Sequence, residues 1–202
     1  VVDIFNAATN TWTTSQLSQA RFNLASAALG NLVLFGGGYA NSGVTSIVDI
    51  YNLSTKSWTT AQLSQARSGL AAAAAGNSVL FAGGLYTSGS SDISVPTVDI
   101  YHVSTNIWTT TQLVEPITSE AAVVLGSSIF FAGGFSSQTT TDYASNAIYI
   151  YNTSSNSWTT AFLSDGRYGL GAAATGNYVI FGGGSSFINL YDSTIDIYKV
   201  LN

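Results

Sequence analysis

The side chains able to do acid–base or nucleophilic chemistry are few. His102 is the single histidine, and the chain has no cysteine. Hydrolytic triads need a nucleophile, a base within hydrogen-bond reach and a third group that orients the base. His102 follows Tyr101 at a place where Asn6, Asn52 and Asn152 follow Phe5, Tyr51 and Tyr151. It therefore reads as a solvent-exposed turn residue, and no triad can be assembled around it. Without cysteine, disulfides, thiolate chemistry and Cys-based zinc sites are excluded together. The glycine runs Gly36 to Gly38 and Gly182 to Gly184 close strand-like segments and open no helix. They do not form a phosphate cradle.

Recognition is better represented than catalysis. Four polar segments, 39–46, 85–96, 135–146 and 185–193, differ most between the repeats described below, and binding residues concentrate on such loops. Asp92, Asp142 and Asp192 each stand eight residues beyond the last glycine of the preceding run. The same segments carry Tyr39, Tyr86, Tyr143, Phe187 and Tyr191. Aromatic rings beside Asp and Asn could hold a sugar by stacking and hydrogen bonding, and clustered carboxylates could bind calcium. Asp is also a favoured turn residue because it hydrogen-bonds its own backbone, and that bland role takes precedence. We expect no cofactor and no metal. Asn52-Leu53-Ser54 and Asn152-Thr153-Ser154 are N-glycosylation sequons. With few Lys and Glu, they favour an extracellular or cell-surface location over a cytoplasmic one.

Composition narrows the classes further. Hydrophobic residues make up 46% of the 202, enough for a packed core. No apolar run approaches the roughly 20 residues of a membrane-spanning helix. Only 7% of residues are charged, and the net charge is −5. Five scattered Lys and Arg cannot make the basic surface that nucleic acid requires.

The elements that must position these residues come from a repeat. Trp12, Trp58, Trp108 and Trp158 recur at steps of 46, 50 and 50, each in W-T-T. Phe5, Tyr51, Tyr101 and Tyr151 stand about seven residues before them. The glycine runs Gly36 to Gly38, Gly83-Gly84, Gly133-Gly134 and Gly182 to Gly184 follow 24 to 26 residues after them. Each unit contains four strand signals, a to d. In the second unit, a covers about 70–75, b about 78–81, c about 97–101, and d surrounds Trp108. Gly76-Asn77 suits a tight a–b hairpin, and a polar loop joins b to c. The Ala-rich runs are short, end in Gly and lack caps, so helix is not expected.

Glycines after strand b, with a Tyr and a Trp about seven apart downstream, resemble the kelch repeat. The resemblance covers essentially the whole chain and recurs four times. It implies an all-β, kelch-type β-propeller of four-stranded antiparallel blades, about four of them, as a small closed ring or an arc of a larger propeller. Strand a would line the axis and strand d the rim. One domain, 1–202, is expected. Strands c and d fill 1–16, blades follow at about 17–62, 63–112 and 113–162, and the last blade is 163–202. Kelch folds also include copper-radical galactose oxidase, whose site needs two His, Tyr residues and a Cys cross-link. One His and no Cys do not supply it.

Comparison among the copies adds a pairing. Arg21, Arg67 and Arg167 precede strand a, and Asp49, Asp99 and Asp196 lie on strand c. In the third copy Ile117 and Tyr149 replace both at once. This predicts structural Arg–Asp ion pairs across strand b, since losing one partner alone strands a buried charge. The ends raise a conflict. The strand at 2–5 and the strand at 194–198 would fill the same place in the last blade, and Asp3 and Asp196 would both claim Arg167. The chain opens at Val1 inside a strand motif without a leader, as expected of an arc excised from a longer array. The alternative is an assembly in which the N-terminal strands of one chain complete the edge of another. The expected function is a non-enzymatic binding or scaffolding module presenting b–c and d–a loops to a protein or glycan. The second expectation is a building block that self-associates through blade edges into oligomers or filaments.

Overall fold

The computed structural model describes residues 1–89, 91–138, 142–186 and 190–200, and every regular element among them is a β-strand. A hairpin of β1 (Val2–Asn6) and β2 (Thr11–Ser15) comes first. Sheet 1 contains, in spatial order, β3 (Ala25–Leu29), β4 (Leu32–Gly36), β7 (Ile47–Asn52) and β8 (Ser57–Gln62). Sheet 2 repeats the order with β9 (Ala71–Ala75), β10 (Ser78–Ala82), β13 (Thr97–His102) and β14 (Ile107–Gln112). Sheet 3 does so with β15 (Ala121–Leu125), β16 (Ser128–Ala132), β19 (Ala147–Asn152) and β20 (Ser157–Phe162). Sheet 4 has three strands among the described residues, β21 (Gly171–Thr175), β22 (Tyr178–Gly182) and β23 (Ile195–Lys199). All neighbours are antiparallel.

Local chemistry accounts for the turns. The first two strands of each sheet are joined by two residues, and the first is a glycine at positive φ: Gly30 (59°), Gly76 (56°), Gly126 (60°) and Gly176 (56°). This is the hairpin geometry whose twist matches the flanking strands. The turn before each Trp places Asn10, Lys56, Asn106 or Asn156 in the left-handed region, which Asn tolerates better than other side chains. Asn106 and Asn156 also accept hydrogen bonds from the Tyr101 and Tyr151 hydroxyls at 2.8 and 2.9 Å.

Successive sheets pack face to face, and three apolar clusters fill the three junctions. The innermost strands β3, β9, β15 and β21 adjoin in chain order. The small residues Ala, Gly and Ser that predominate in them permit that approach. On the outer strands, Trp58, Trp108 and Trp158 lie 4.8–5.0 Å from the cross-strand Tyr51, Tyr101 and Tyr151, ring centre to ring centre. They also meet Phe35, Phe81 and Phe131 at 6.0–6.4 Å. Each such ring pair contributes about 0.5–1.5 kcal/mol beyond its buried area.

Backbone bonds cross every junction. Gly69, Ser119 and Gly169 donate N–H to the carbonyls of Asn23, Gly69 and Ser119 (2.9, 3.1 and 3.2 Å), a string that runs from sheet to sheet. Gly38, Gly84 and Gly134 donate to the carbonyls of Arg67, Ile117 and Arg167 in the following sheet (2.8–2.9 Å).

Three expectations change. The b–c segments are not plain polar loops: they fold into hairpins β5 (Tyr39–Ala40) with β6 (Gly43–Val44), β11 (Leu85–Ser88) with β12 (Ser91–Ser94), and β17 (Phe135–Ser136) with β18 (Tyr143–Ala144). The chain ends do not contest one position. β23 pairs with β22, whereas β1 pairs with β2, which stands outside sheet 1 through Trp58 Nε1 donating to Ser15 Oγ (2.8 Å). His102 is half-buried rather than solvent-exposed, with Nε2 2.9 Å from Thr109 Oγ1, at the end of the sheets opposite the b–c segments.

Candidate functional site

Two groups of residues stand out: the Arg–Asp pairs at one end of the sheets, and the loop layer above them. Arg21 Nη2 lies 2.7 Å from Asp49 Oδ2, and Arg67 and Arg167 form the same contact with Asp99 and Asp196. All three arginine side chains are fully buried. Further guanidinium N–H groups donate to backbone carbonyls: Arg21 Nε to Gly37 (2.8 Å), Arg67 Nη1 to Gly83 and Thr97 (both 2.6 Å), and Arg167 Nη1 to Gly183 and Thr194 (2.9 and 2.8 Å). Among the described residues the Nε–H groups of Arg67 and Arg167 have no partner. Each Asp also accepts the amide of Ser18, Ser64 or Ser164. Every arginine thereby ties strand ends and loop together inside its own sheet. Burial pulls the Arg67 guanidinium below its usual range, and Asp99 opposes this.

The third copy solves the same problem without charge. Ile117 fills the arginine position at 0% exposure. Tyr149 replaces the aspartate, and its hydroxyl accepts the Glu115 amide at 3.1 Å. Burial, and then the neighbouring Glu115, pushes the Tyr149 phenol upward.

Glu120 is the residue that sequence reasoning missed. It occupies the place of Leu24, Leu70 and Leu170 and is 8% exposed. Among the described residues neither carboxylate oxygen has a hydrogen-bond partner of ordinary geometry. Burial pushes its pKa up to about 8, with its own amide, Arg67 and the Ala71 amide pulling weakly the other way. Aligning the copies at strand a would have exposed the substitution.

Above the ion pairs, the b–c hairpins and the loops preceding β3, β9, β15 and β21 form one layer. Phe22, Ser68, Thr118 and Tyr168 bridge to Tyr39, Leu85, Phe135 and Ser185. Neighbouring hairpins are tied as well: Ser137 N–H donates to Ser94 Oγ (2.9 Å) and Gln138 Nε2 to the Ser94 carbonyl (3.2 Å). The sequence candidates are spread along this layer rather than gathered. Tyr39 packs against Phe22, ring centres 5.6 Å apart and planes tilted by 44°. Tyr86 and Asp92 lie on the second hairpin, where Asp92 accepts from the Thr87 hydroxyl at 2.8 Å. Asp142 accepts the Gln138 amide (3.2 Å), and Asp192 accepts the Thr194 amide (2.7 Å). Hydrogen bonding from Thr194 holds the Asp192 carboxyl below its usual range. Tyr191 is 92% exposed, and Phe187 lies outside the described residues.

Asp142 and Tyr143 do share a cleft, of about 330 Å3, with Asn146, Asp165 and Ser186. Its lining includes one aromatic ring, two carboxylates and an amide. Among the described residues no group of three or more His, Cys, Asp and Glu is arranged to hold a metal, and no helix is long and apolar enough to cross a membrane. Asn52 and Asn152 use their side-chain carbonyls to cap their own turns, accepting the amides of Ser54 and Ser154 at 2.9 Å. No family model matches this chain, and neither does any curated protein.

Proposed function

We propose that the sheets are blades of a kelch-type propeller arc, and that the chain is a non-enzymatic module whose b–c and d–a loops hold a partner outside the cell. The observation that supports this most is the loop layer. Each b–c hairpin is bridged by backbone to the loop beneath it, and that loop is fixed by a buried Arg or its Ile–Tyr substitute. Rigid loops lose little entropy on binding, which favours recognition. Within that layer the Asp142–Tyr143–Asp165 cleft is suited to a glycan, which needs an aromatic face and several hydrogen-bond acceptors. Binding here makes and breaks no bond.

The test is a glycan array followed by calorimetric titration of any glycan retained. Tyr143→Ala, on the short strand β18, and Asp165→Ala, in the loop preceding β21, should each weaken binding at least tenfold while circular dichroism stays unchanged. Equal affinity in wild type and both variants refutes the cleft. No retained glycan shifts the reading to a protein partner on the same layer.

A further inference from the structure

The two outward faces of the array are the two halves of the junction used inside it. At each internal junction the leading sheet presents two apolar residues of its third strand. Val48, Ile50, Val98, Ile100, Ile148 and Ile150 are all 8% exposed or less. Sheet 4 presents the same pair as Ile195 and Ile197, each 64% exposed. The leading sheet also supplies a glycine corner on which the next sheet rests. A Cβ on Gly37 would meet Leu70 at 2.9 Å, one on Gly133 would meet Leu170 at 2.7 Å, and one on Gly36 would meet Phe81 at 2.6 Å. At Gly182 and Gly183, among the described residues, only Ile195 of β23 and Asp192 of the connection before it come within 4 Å.

The backbone groups follow suit. Gly38, Gly84 and Gly134 donate N–H across a junction, and Asn23, Gly69 and Ser119 accept across one. Among the described residues the corresponding donor and acceptor of sheet 4, Gly184 N–H and Gly169 C=O, have no such partner. At the other extremity, sheet 1 offers the complement: Leu24 and Phe35, both only half-buried, together with the Arg21 carbonyl and the Asn23 amide. A 610 Å3 cavity opens beside Arg21, Leu24 and Phe35, bounded across by Val1, Val2 and Leu17. It lies where the inner strands of a preceding sheet would stand.

We infer that sheet 4 of one copy docks head to tail on sheet 1 of a second copy, by the contacts that join sheets within the chain. This inference does not depend on the glycan reading. In the docked form Leu24 rests on the partner copy's Gly183, Phe35 on Gly182, and the glycine-169 string is continued by Asn23. β1 and β23 then match residue for residue, Asp3 against Asp196 and Ile4 against Ile197. β23 keeps its place, because Asp196 is held by Arg167 and by the Ser164 amide, whereas Asp3 makes no ion pair or hydrogen bond among the described residues. β2 passes from β1 to the free edge of β23, which brings Trp12, now 67% exposed, over Phe181.

The test is sedimentation and light scattering over a hundredfold concentration range, with the variants Ile195→Asp/Ile197→Asp on one face and Leu24→Arg on the other. The wild type should rise from 21.0 kDa to at least twice that mass. Each variant, with its β-sheet circular dichroism retained, should stay at the single-chain mass. An equimolar mixture of the two should yield a one-to-one dimer, because each keeps the face the other lacks. A wild type that remains single at all concentrations overturns the inference, whether its ends stay open or close on each other. So does association that survives both variants, or a mixture that does not combine. Weakened glycan binding by Tyr143→Ala leaves these masses untouched, so the two readings fail separately.

Discussion

Glu120→Leu restores the residue that three of the four copies carry at this position, and it isolates the cost of one buried carboxyl. The group sits in a sheet junction against Gly83, with the Arg67 guanidinium, itself paired with Asp99, as the facing charge. Its pKa rises from an ordinary 4.5 to about 8 on folding. The folded state therefore binds this proton more tightly than the unfolded chain does. The associated stability is complete below pH 4.5, declines as pH climbs, and is gone above about pH 8. At 1.36 kcal/mol per unit the full span is roughly 5 kcal/mol, a large part of a typical domain's stability of about 5–15 kcal/mol. Urea unfolding at pH 5, 7 and 9, followed by tryptophan fluorescence, measures it. The difference between Glu120→Leu and wild type should widen by several kcal/mol from pH 5 to pH 9. Glu120→Gln, which removes the titration but keeps the polarity, should share the flattened pH dependence. Parallel profiles for wild type and both variants would refute the claim that this carboxyl is neutral in the folded protein.

Two further outcomes are expected. Arg67→Met should cost about 3–5 kcal/mol by stranding Asp99, while Arg67→Ile/Asp99→Tyr, which copies Ile117 and Tyr149, should recover more than half of that in urea melts; a double variant no better than either single one speaks against the pairing. Lys56→Asn should raise stability by about 1 kcal/mol, because Lys56 holds φ 55° where the other copies use Asn, and an unchanged urea midpoint would contradict that.

Much of the framework was readable from residue types. Tryptophans at regular steps located the outer strands, and the Gly76-Asn77 turn located the inner hairpin of the second unit to within a residue. Joint replacement of Arg and Asp by Ile117 and Tyr149 pointed to the pairs that the structure contains. The b–c hairpins were not readable, because β5, β6, β17 and β18 are two residues long and carry no apolar alternation. The better signal was β11, where Leu85 and Tyr86 face Ser94 and Ile93 across the hairpin. The candidate site was harder. Asp92, Asp142 and Asp192 share a sequence offset, yet each serves its own turn. The Asp142–Tyr143 cleft depends on Asp165, which lies in a different connection, at the repeat position held elsewhere by Gln19, Gln65 and Glu115. How the ends are arranged was also beyond the sequence, since β1 and β23 carry the same alternating motif and either could have taken the edge of β22.

The string of left-handed residues Asn23, Gly69, Ser119 and Gly169 restricts where the gene can tolerate length change. Each stands 11 residues after its Trp, because the connector must bring one amide to a fixed point on the previous unit. An inserted codon there would slide that amide past its acceptor and misplace the buried arginine two residues earlier. The b–c hairpins face no such demand, and their lengths differ between copies. Diversity can accumulate on that rim of the molecule while the inner connectors keep their count.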